Sequence, residues 1–183
     1  TIPQYSFRIG YYFNDKHDLG IELNYDHAKF VIVQNQAVHL TGTIRGIYYD
    51  KDTVLTDGLV KFEHTNGANY CMINFLRRHN ICKSKNKNHW LGYIIKGGAG
   101  FVYPRSDTRL LGNRNNDRYH VAGYVVGVDA GLRYDFFKHF FFEPTIKGAF
   151  ANYLNVRLAE GGKANHHFFS LEYIATLGFQ FGL

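Results

Sequence analysis

One segment, Tyr119–Phe136, constrains the fold more than any other part of the chain. From Ala122 onward its even-numbered positions are apolar or aromatic, while its odd-numbered positions are mostly small and then charged, at Asp129, Arg133 and Asp135. Because the side chains of a strand alternate between its two faces, this pattern predicts one long strand between an apolar and a polar environment. Strands of soluble proteins usually have about 5–6 residues. A strand of this length with aromatic residues on its apolar face favours a bilayer-spanning β-barrel.

Six further segments alternate in the same way. They lie at 5–13, 19–33, 59–76, 91–103, 142–156 and 167–183. The connections are short and polar at 14–18 and 137–140, and long and polar at 34–58, 104–118 and 157–166. Short periplasmic turns alternate with longer extracellular loops in bacterial outer-membrane barrels. The sequence therefore predicts a single all-β domain over 1–183, an antiparallel up-and-down transmembrane β-barrel of about eight strands, with 77–89 as a third short turn.

The number of clear segments, seven, is odd, whereas bacterial single-chain barrels have an even number of strands. Two interpretations remain open. An eighth strand precedes Thr1, or the segment Leu40–Tyr48 is itself a strand of the barrel. We favour the first, because the tight connection at 14–18 is typical of a periplasmic turn. Leu40–Tyr48 is then one arm of a hairpin within a long external loop.

The composition agrees with this fold class and limits the kinds of partner. Aromatic residues make up 17% of the 183 residues, and Tyr and Phe favour strands and membrane interfaces. The net charge of +6 favours an anionic partner such as lipopolysaccharide phosphates. The basic residues are not interleaved with stacking aromatics, so we expect no nucleic acid partner. No cofactor is predicted. His166 and His167, with His120, would form a surface metal site only in a loop conformation, because adjacent histidines point to opposite faces of a strand, so we predict solvated histidines at the rim and no metal site.

The last segment carries a family resemblance. Tyr173–Leu183 alternates apolar residues up to the C-terminus, as the terminal strand of outer-membrane barrels does. Together with the short turns, it makes the chain resemble the small eight-stranded barrels of the OmpA/OmpX/OmpW type. Members of that group usually end in Phe or Trp, whereas this chain ends in Leu183. The resemblance implies an integral protein of the bacterial outer membrane that contacts its lipids, lipopolysaccharide among them.

Charged residues recur on the predicted polar faces of the strands. They are Arg8, Glu22, Asp26, Lys61, Glu63, Lys96, Asp129, Arg133, Asp135, Glu143, Lys147 and Glu172. The interior of an eight-stranded barrel is filled by side chains, and buried charges must be paired. We therefore predict a closed, salt-bridged lumen in a non-enzymatic structural or interaction protein, whose loops 34–58 and 104–118 meet lipopolysaccharide or a protein partner. The alternative is a pore for small solutes or ions.

The segment Phe62–Tyr70 interrupts a predicted strand with polar residues. It resembles the His-x-Ser-Asn segment of lipid A deacylases of the PagL type, small barrels that carry a Glu on the next strand. The resemblance implies an alternative function, a lipid A-type acyl hydrolase centred on His64. Its candidate residues are Glu63, His64, Thr65 and Asn66. However, the hydroxyl of Thr65 directly follows His64 and points to the opposite face, so we favour a β-bulge at Asn66 and Gly67, or a strand end outside the membrane, as the explanation of this segment.

Two other groups of residues leave alternatives open. Four arginines lie in the long connection at 104–118 and are candidates for lipid-phosphate contacts, or belong to an ordinary charged loop. They are Arg105, Arg109, Arg114 and Arg118. The two cysteines, Cys71 and Cys82, lie eleven residues apart, which permits either a disulfide or two free thiols.

Overall fold

The structure is a computed structural model that describes residues 4–13, 18–64, 66–85, 88–116 and 118–181. It confirms the all-β class, but these residues form thirteen strands and not about eight, because the long connections contain strands of their own. The strands are β1 (Ser6–Tyr12), β2 (Leu19–Asp26), β3 (Phe30–Val31), β4 (Ala37–Ile44), β5 (Ile47–Val54), β6 (Val60–His64), β7 (Tyr70–Lys83), β8 (His89–Val102), β9 (Asp107–Leu110), β10 (Asn113–Asn116), β11 (Gly123–Phe136), β12 (Phe140–Arg157) and β13 (Lys163–Phe179). A 3₁₀ turn at Ala159–Gly161 precedes β13. No helix in the described ranges is long and apolar enough to cross a membrane.

The main sheet contains seven antiparallel strands in the order β1-β2-β7-β8-β11-β12-β13. The connections before β2, β8 and β12 lie at one end, and those before β7, β11 and β13 lie at the other, which is called the long-connection end here. The prediction of a long connection at 157–166 was wrong, because β12 extends to Arg157 and β13 begins at Lys163. The prediction of a turn over 77–89 was wrong, since β7 continues to Lys83 and pairs with β8 as far as Trp90. Four residues of the predicted turn at 14–18, namely 14–17, lie outside the described residues.

The main sheet is curled, so that side chains on its concave face meet across several strands. Arg8 on β1 reaches Asp129 on β11, and the hydroxyl of Tyr70 on β7 donates to Ser170 on β13. The two edge strands, β1 and β13, are hydrogen-bonded only to β2 and β12, respectively. The described residues thus form a curled half-barrel with an open seam between β1 and β13.

The period-two pattern assigns most side chains to the correct face of this sheet. On β13, Phe169 is 82% exposed on the convex face, as are Leu171, Tyr173 and Leu177 to similar extents. On β11, Asp129, Arg133 and Asp135 are buried on the concave face, as the alternation predicts. The convex face is therefore apolar. The concave face carries the buried charges, and apolar side chains such as Val125, Ala151 and Tyr153 form a buried core on another part of it.

The predicted strand over 59–76 is wrong, because the chain leaves the extended conformation between His64 and Tyr70. Gly67 has a φ of 114° and Asn69 a φ of 29°, so β6 and β7 are separate strands in different sheets. The alternation over 59–76 predicts Tyr70 and Met72 on the apolar outer face, together with Val60 and Phe62, but both are buried on the concave face. The segments 19–33 and 142–156 deviate in the same manner. The first leaves the main sheet after Asp26, and a register shift after Tyr153 buries Val156.

Two smaller sheets are built from the long connections. Strands β10-β9-β6-β3 form a four-stranded sheet, called the cap sheet here. Its inner face contributes Phe30 and Phe62, which pack near Phe168 and Tyr153 of the main sheet. Strands β4 and β5 form a separate hairpin. The segment Leu40–Tyr48, predicted as one arm of a hairpin, contains the end of β4, the turn at Arg45 and Gly46, and the start of β5.

Both cysteines lie on β7, where they are free thiols. Eleven residues of a strand span about 36 Å, whereas the Cα atoms of a disulfide lie about 4.4–6.8 Å apart. A disulfide between Cys71 and Cys82 within one molecule is thereby excluded.

Candidate functional site

The concave face of the main sheet holds a row of ion-paired side chains that alternate in sign. In order of contact they are Asp129, Arg8, Glu22, Lys96, Glu143, Arg133, Asp135 and Arg78. The nitrogen–oxygen distances between successive members lie between 2.5 and 3.2 Å. Lys147 and Asp26 form a further pair beside this row. The ten side chains together are called the lumen network here.

The lumen network is neutral and almost fully shielded from water. It contains five basic and five acidic groups, and none of their side chains is more than 9% exposed. Its members come from six strands of the main sheet. Because removing one partner leaves the other charge buried and unpaired, such a network fixes the relative positions of the strands that contribute to it.

Nine of the twelve charged residues predicted for the lumen belong to this network, and three do not. Lys61 and Glu63 lie on β6 in the cap sheet, where they face each other at 3.9 Å. Glu172 lies on the concave face of β13 and accepts a hydrogen bond from Ser170. Arg78 was not predicted, because 77–89 was assigned to a turn. The alternation of β7 continues beyond Leu76 and would have placed Arg78 on the concave face.

A cleft of about 550 Å³ opens at the seam between β1 and the end of β13. Arg8, Glu22 and Arg133 line its inner wall, and Tyr11 and Phe181 lie at its edges. The Arg8 guanidinium donates from Nη1 to Glu22 and Asp129, but its buried Nη2 has no hydrogen-bond partner among the described residues. A buried donor without a partner among the described residues therefore lies beside the seam.

A second polar group lies where the cap sheet meets the main sheet. His64 Nε2 lies 3.0 Å from Nε2 of His166 on β13, and Ser106 Oγ lies 2.8 Å from His64 Nδ1. His64 is fully buried and stacks on the ring of Tyr153. Burial, with further contributions from His166 and His120, lowers the pKa of His64 to about 3. The His64 ring is therefore neutral at physiological pH.

The hydrogen bonds of Ser106, His64 and His166 are coupled through the tautomers of the two rings. If Ser106 donates to Nδ1 of His64, then His64 donates from Nε2 to His166, and Nδ1 of His166 carries a proton. This Nδ1 is buried and has no partner among the described residues. Ser106 and His166 had no local signal in the sequence, because 42 and 102 residues separate them from His64.

A hydroxyl beside an imidazole is the pairing that nucleophilic catalysis requires. Here, however, Ser106 is only 1% exposed and His64 is 0% exposed, so no substrate carbonyl reaches the oxygen in this arrangement. Of the other predicted catalytic residues, Glu63 points to the opposite face of β6, and the backbone carbonyl of Asn66 accepts a hydrogen bond from Tyr119. Thr65 lies outside the described residues. The side chains of Ser106, His64 and His166 therefore act as a structural link between the cap sheet and β13.

The predicted arginine group is divided by the cap sheet. Arg109 on β9 and Arg114 on β10 are directly opposite each other on its outer face. Arg105 and Arg118 lie outside the cap strands. Among the residues described, no three or more His, Cys, Asp or Glu side chains are arranged to hold a metal ion.

Comparisons with known proteins identify no relatives. No protein-family model matches the chain, and neither a curated protein nor a solved structure is similar to it at a significant level.

Proposed function

We propose that this protein is an integral β-barrel of the bacterial outer membrane, with a sealed lumen and a structural or interaction role carried by its cap sheet and hairpin. The observation that carries this proposal is the inversion of the main sheet, whose convex face is apolar and whose concave face buries ten paired charges. A soluble sheet sandwich or barrel has the opposite arrangement, with its apolar side chains in the interior.

The extent of the apolar surface supports a lipid environment. The largest apolar patch on a soluble monomer is about 300–600 Å². Here, large apolar side chains are exposed on all seven strands of the main sheet, from Phe7 on β1 to Leu177 on β13. A membrane-spanning strand needs about 9–11 residues, and five of the seven strands have 14 to 18.

The proposal includes one more strand, which closes the seam. Seven antiparallel strands leave β1 and β13 running in the same direction, so one strand antiparallel to both completes the hydrogen bonding. The unpartnered Nη2 of Arg8 would then meet an acceptor on the inner face of that strand. A strand that precedes Thr1 fits this place, as expected from the odd number of strands.

A sealed lumen supports a structural or interaction role over a pore. The lumen network crosses the interior from β1 to β12 without a gap larger than one ion-pair distance. A permeating ion would have to break several of these ion pairs. Each broken pair leaves a buried charge without its partner, which is energetically costly. The cap sheet and the β4–β5 hairpin, which lie at the long-connection end, are then the parts available to partners.

The proposal is tested with the chain refolded into phospholipid vesicles. We expect heat-modifiable migration on gels, protection of the main sheet from added protease, and no conductance in planar bilayers. A monomer that stays soluble without detergent would overturn membrane insertion, and steady conductance would overturn the sealed lumen. If the lipid A mass spectrum of expressing cells changes with the wild type but not with His64→Ala, the hydrolase alternative replaces the non-enzymatic role.

A further inference from the structure

The outer face of the cap sheet carries three basic side chains side by side on three neighbouring strands. Lys61 on β6 is directly opposite Arg109 on β9, and Arg109 is directly opposite Arg114 on β10. Neighbouring strands lie about 4.8 Å apart, so the whole row is about 10 Å wide. The side chains of Lys61 and Arg114 are 41% and 56% exposed, and Arg109 is also exposed. These three residues are called the basic row here.

The carboxylates beside the basic row do not neutralise it. Arg114 binds both oxygens of Asp107, at 2.9 and 2.6 Å, and Lys61 lies 3.9 Å from Glu63. The Arg109 side chain has no hydrogen bond or ion pair with any described residue. The hydrogen bond from Arg114 and the charges of all three basic residues lower the pKa of Asp107, so this carboxylate acts on the whole row. The row still has three positive charges against two negative ones, and its central guanidinium makes no direct ion pair with a described residue.

Like charges directly opposite each other destabilise a sheet. The cap sheet nevertheless places two such pairs next to each other, Lys61 with Arg109 and Arg109 with Arg114. A bound anion at the centre would remove this repulsion. The planar guanidinium of Arg109 presents two parallel donors, which match the oxygens of a phosphoryl group, and its neighbours supply additional positive charge.

We infer that the basic row is a binding site for a phosphomonoester group, with Arg109 as its principal contact. A phosphomonoester carries close to two negative charges at neutral pH, which fits three converging cations better than a single carboxylate does. The group has two sources, a lipid headgroup at the membrane surface or a soluble phosphate. The lipid source rests on the proposed function, because it requires the cap sheet to lie beside a membrane, whereas the site itself does not.

The inference is tested by calorimetric titration of the full chain in maltoside micelles at low ionic strength. The probes are inorganic phosphate and dihexanoyl phosphatidic acid below its micellar concentration, with dihexanoyl phosphatidylcholine as the headgroup control. We expect saturable binding of at least one phosphomonoester probe, and about tenfold weaker binding by Arg109→Gln. Arg45→Gln, which removes an exposed positive charge in the β4–β5 turn, should bind like the wild type.

The titration distinguishes the two sources. Binding of phosphatidic acid alone supports a lipid headgroup, and equal binding of inorganic phosphate supports a soluble ligand. Equal weakening by Arg109→Gln and Arg45→Gln, equal binding of phosphatidylcholine, or no saturable binding overturns the inference. Lys61→Gln is a second variant that reports on the row if Arg109→Gln loses its strand signal in circular dichroism. Since the protein is in micelles, failure of bilayer insertion leaves this result unaffected.

Discussion

Arg8 Nη1 on β1 lies 2.9 Å from Asp129 Oδ2 on β11, although these strands are the first and fifth of the seven in the main sheet. In a flat sheet four strand spacings would separate them by about 19 Å. The ion pair therefore requires a tightly curled sheet with its charged face inside. The large apolar side chains that alternate with these charges, such as Val126 and Val128 on β11, therefore lie on the outer face.

Replacing Lys96 with Met should destabilise the protein strongly, because Lys96 lies 2.8 Å from Glu22 and 2.5 Å from Glu143. Without the ammonium group both carboxylates stay buried with less compensation, at a cost of about 3–5 kcal/mol. Urea unfolding in vesicles measures the free energy of unfolding. Lys163→Met, at the exposed start of β13, is the control and should change it by less than about 0.5 kcal/mol. Equal stabilities for the two variants would mean that the lumen network does not hold the strands together.

Gly100 and Gly97 lie on the same strand, β8, but only one of them is predicted to tolerate Ala. A Cβ atom on Gly100 would lie 1.9 Å from the carbonyl oxygen of Cys71 on β7, whereas a Cβ on Gly97 meets nothing closer than 4.0 Å. We expect Gly100→Ala to disrupt the pairing of β7 with β8 and Gly97→Ala to fold normally. The yield of heat-modifiable protein after refolding compares the two, and similar yields would contradict the close approach of these strands.

The faces of the long strands could be predicted from the sequence, whereas the break after His64 could not. Alternation on β11 and β13 is a local property, so period two alone assigned Asp129 and Phe169 to opposite solvents. The break depends on the backbone angles of Gly67 and Asn69, which allow the chain to leave one sheet and enter another. An alternation pattern carried through such a break assigned Tyr70 to the wrong face.

His64 should make the stability of the cap sheet dependent on pH. The unfolded chain binds a proton at His64 near pH 6.5, but the folded protein does so only near pH 3. The contribution of His64 to the free energy of unfolding is therefore fully present above about pH 6.5. It declines as the pH falls toward 3, by about 1.4 kcal/mol per pH unit. Hydrogen exchange of cap-sheet amides between pH 6.5 and 4.5 measures the decline.

Replacing His64 with Phe should reduce this dependence, since the aromatic stacking is kept and one titrating ring is lost. The remaining dependence is due to His166, whose pKa burial lowers to about 4. His39→Asn is the matched control, because His39 lies on the exposed β4–β5 hairpin beside Asp50 and Asp52. The pH dependence of cap-sheet exchange should be unchanged in this control. An unchanged slope in His64→Phe would show that another group is responsible.

Ser106→Ala should weaken the cap junction without affecting any lipid chemistry. The substitution removes the hydrogen bond between Ser106 Oγ and His64 Nδ1, a loss of about 1 kcal/mol. Faster hydrogen exchange in the cap sheet, with an unchanged lipid A mass spectrum, is the expected result. A lipid product that appears with the wild type and disappears with Ser106→Ala would instead assign a nucleophile to this buried hydroxyl.

The sequence did not predict the partners of His64, because they lie far from it along the chain. Ser106, in the connection before β11, and His166, on β13, meet His64 only because the fold brings them to the same end of the main sheet, and no spacing in the sequence encodes that. The sequence singled out His64 by its polar surroundings and proposed Thr65 as the hydroxyl, whereas the structure supplies Ser106.

The most direct test of the membrane barrel is the solvent that surrounds the convex face of β11. Spin labels at Val126, Val128 and Leu132, in a background without Cys71 and Cys82, report collisions with oxygen and with a water-soluble nickel complex in vesicles. A label at Thr43 on the exposed hairpin is the aqueous control. If the convex face of β11 lies in a bilayer, oxygen collisions dominate at the three β11 positions and nickel collisions dominate at Thr43. Nickel collisions at all four positions would contradict this placement.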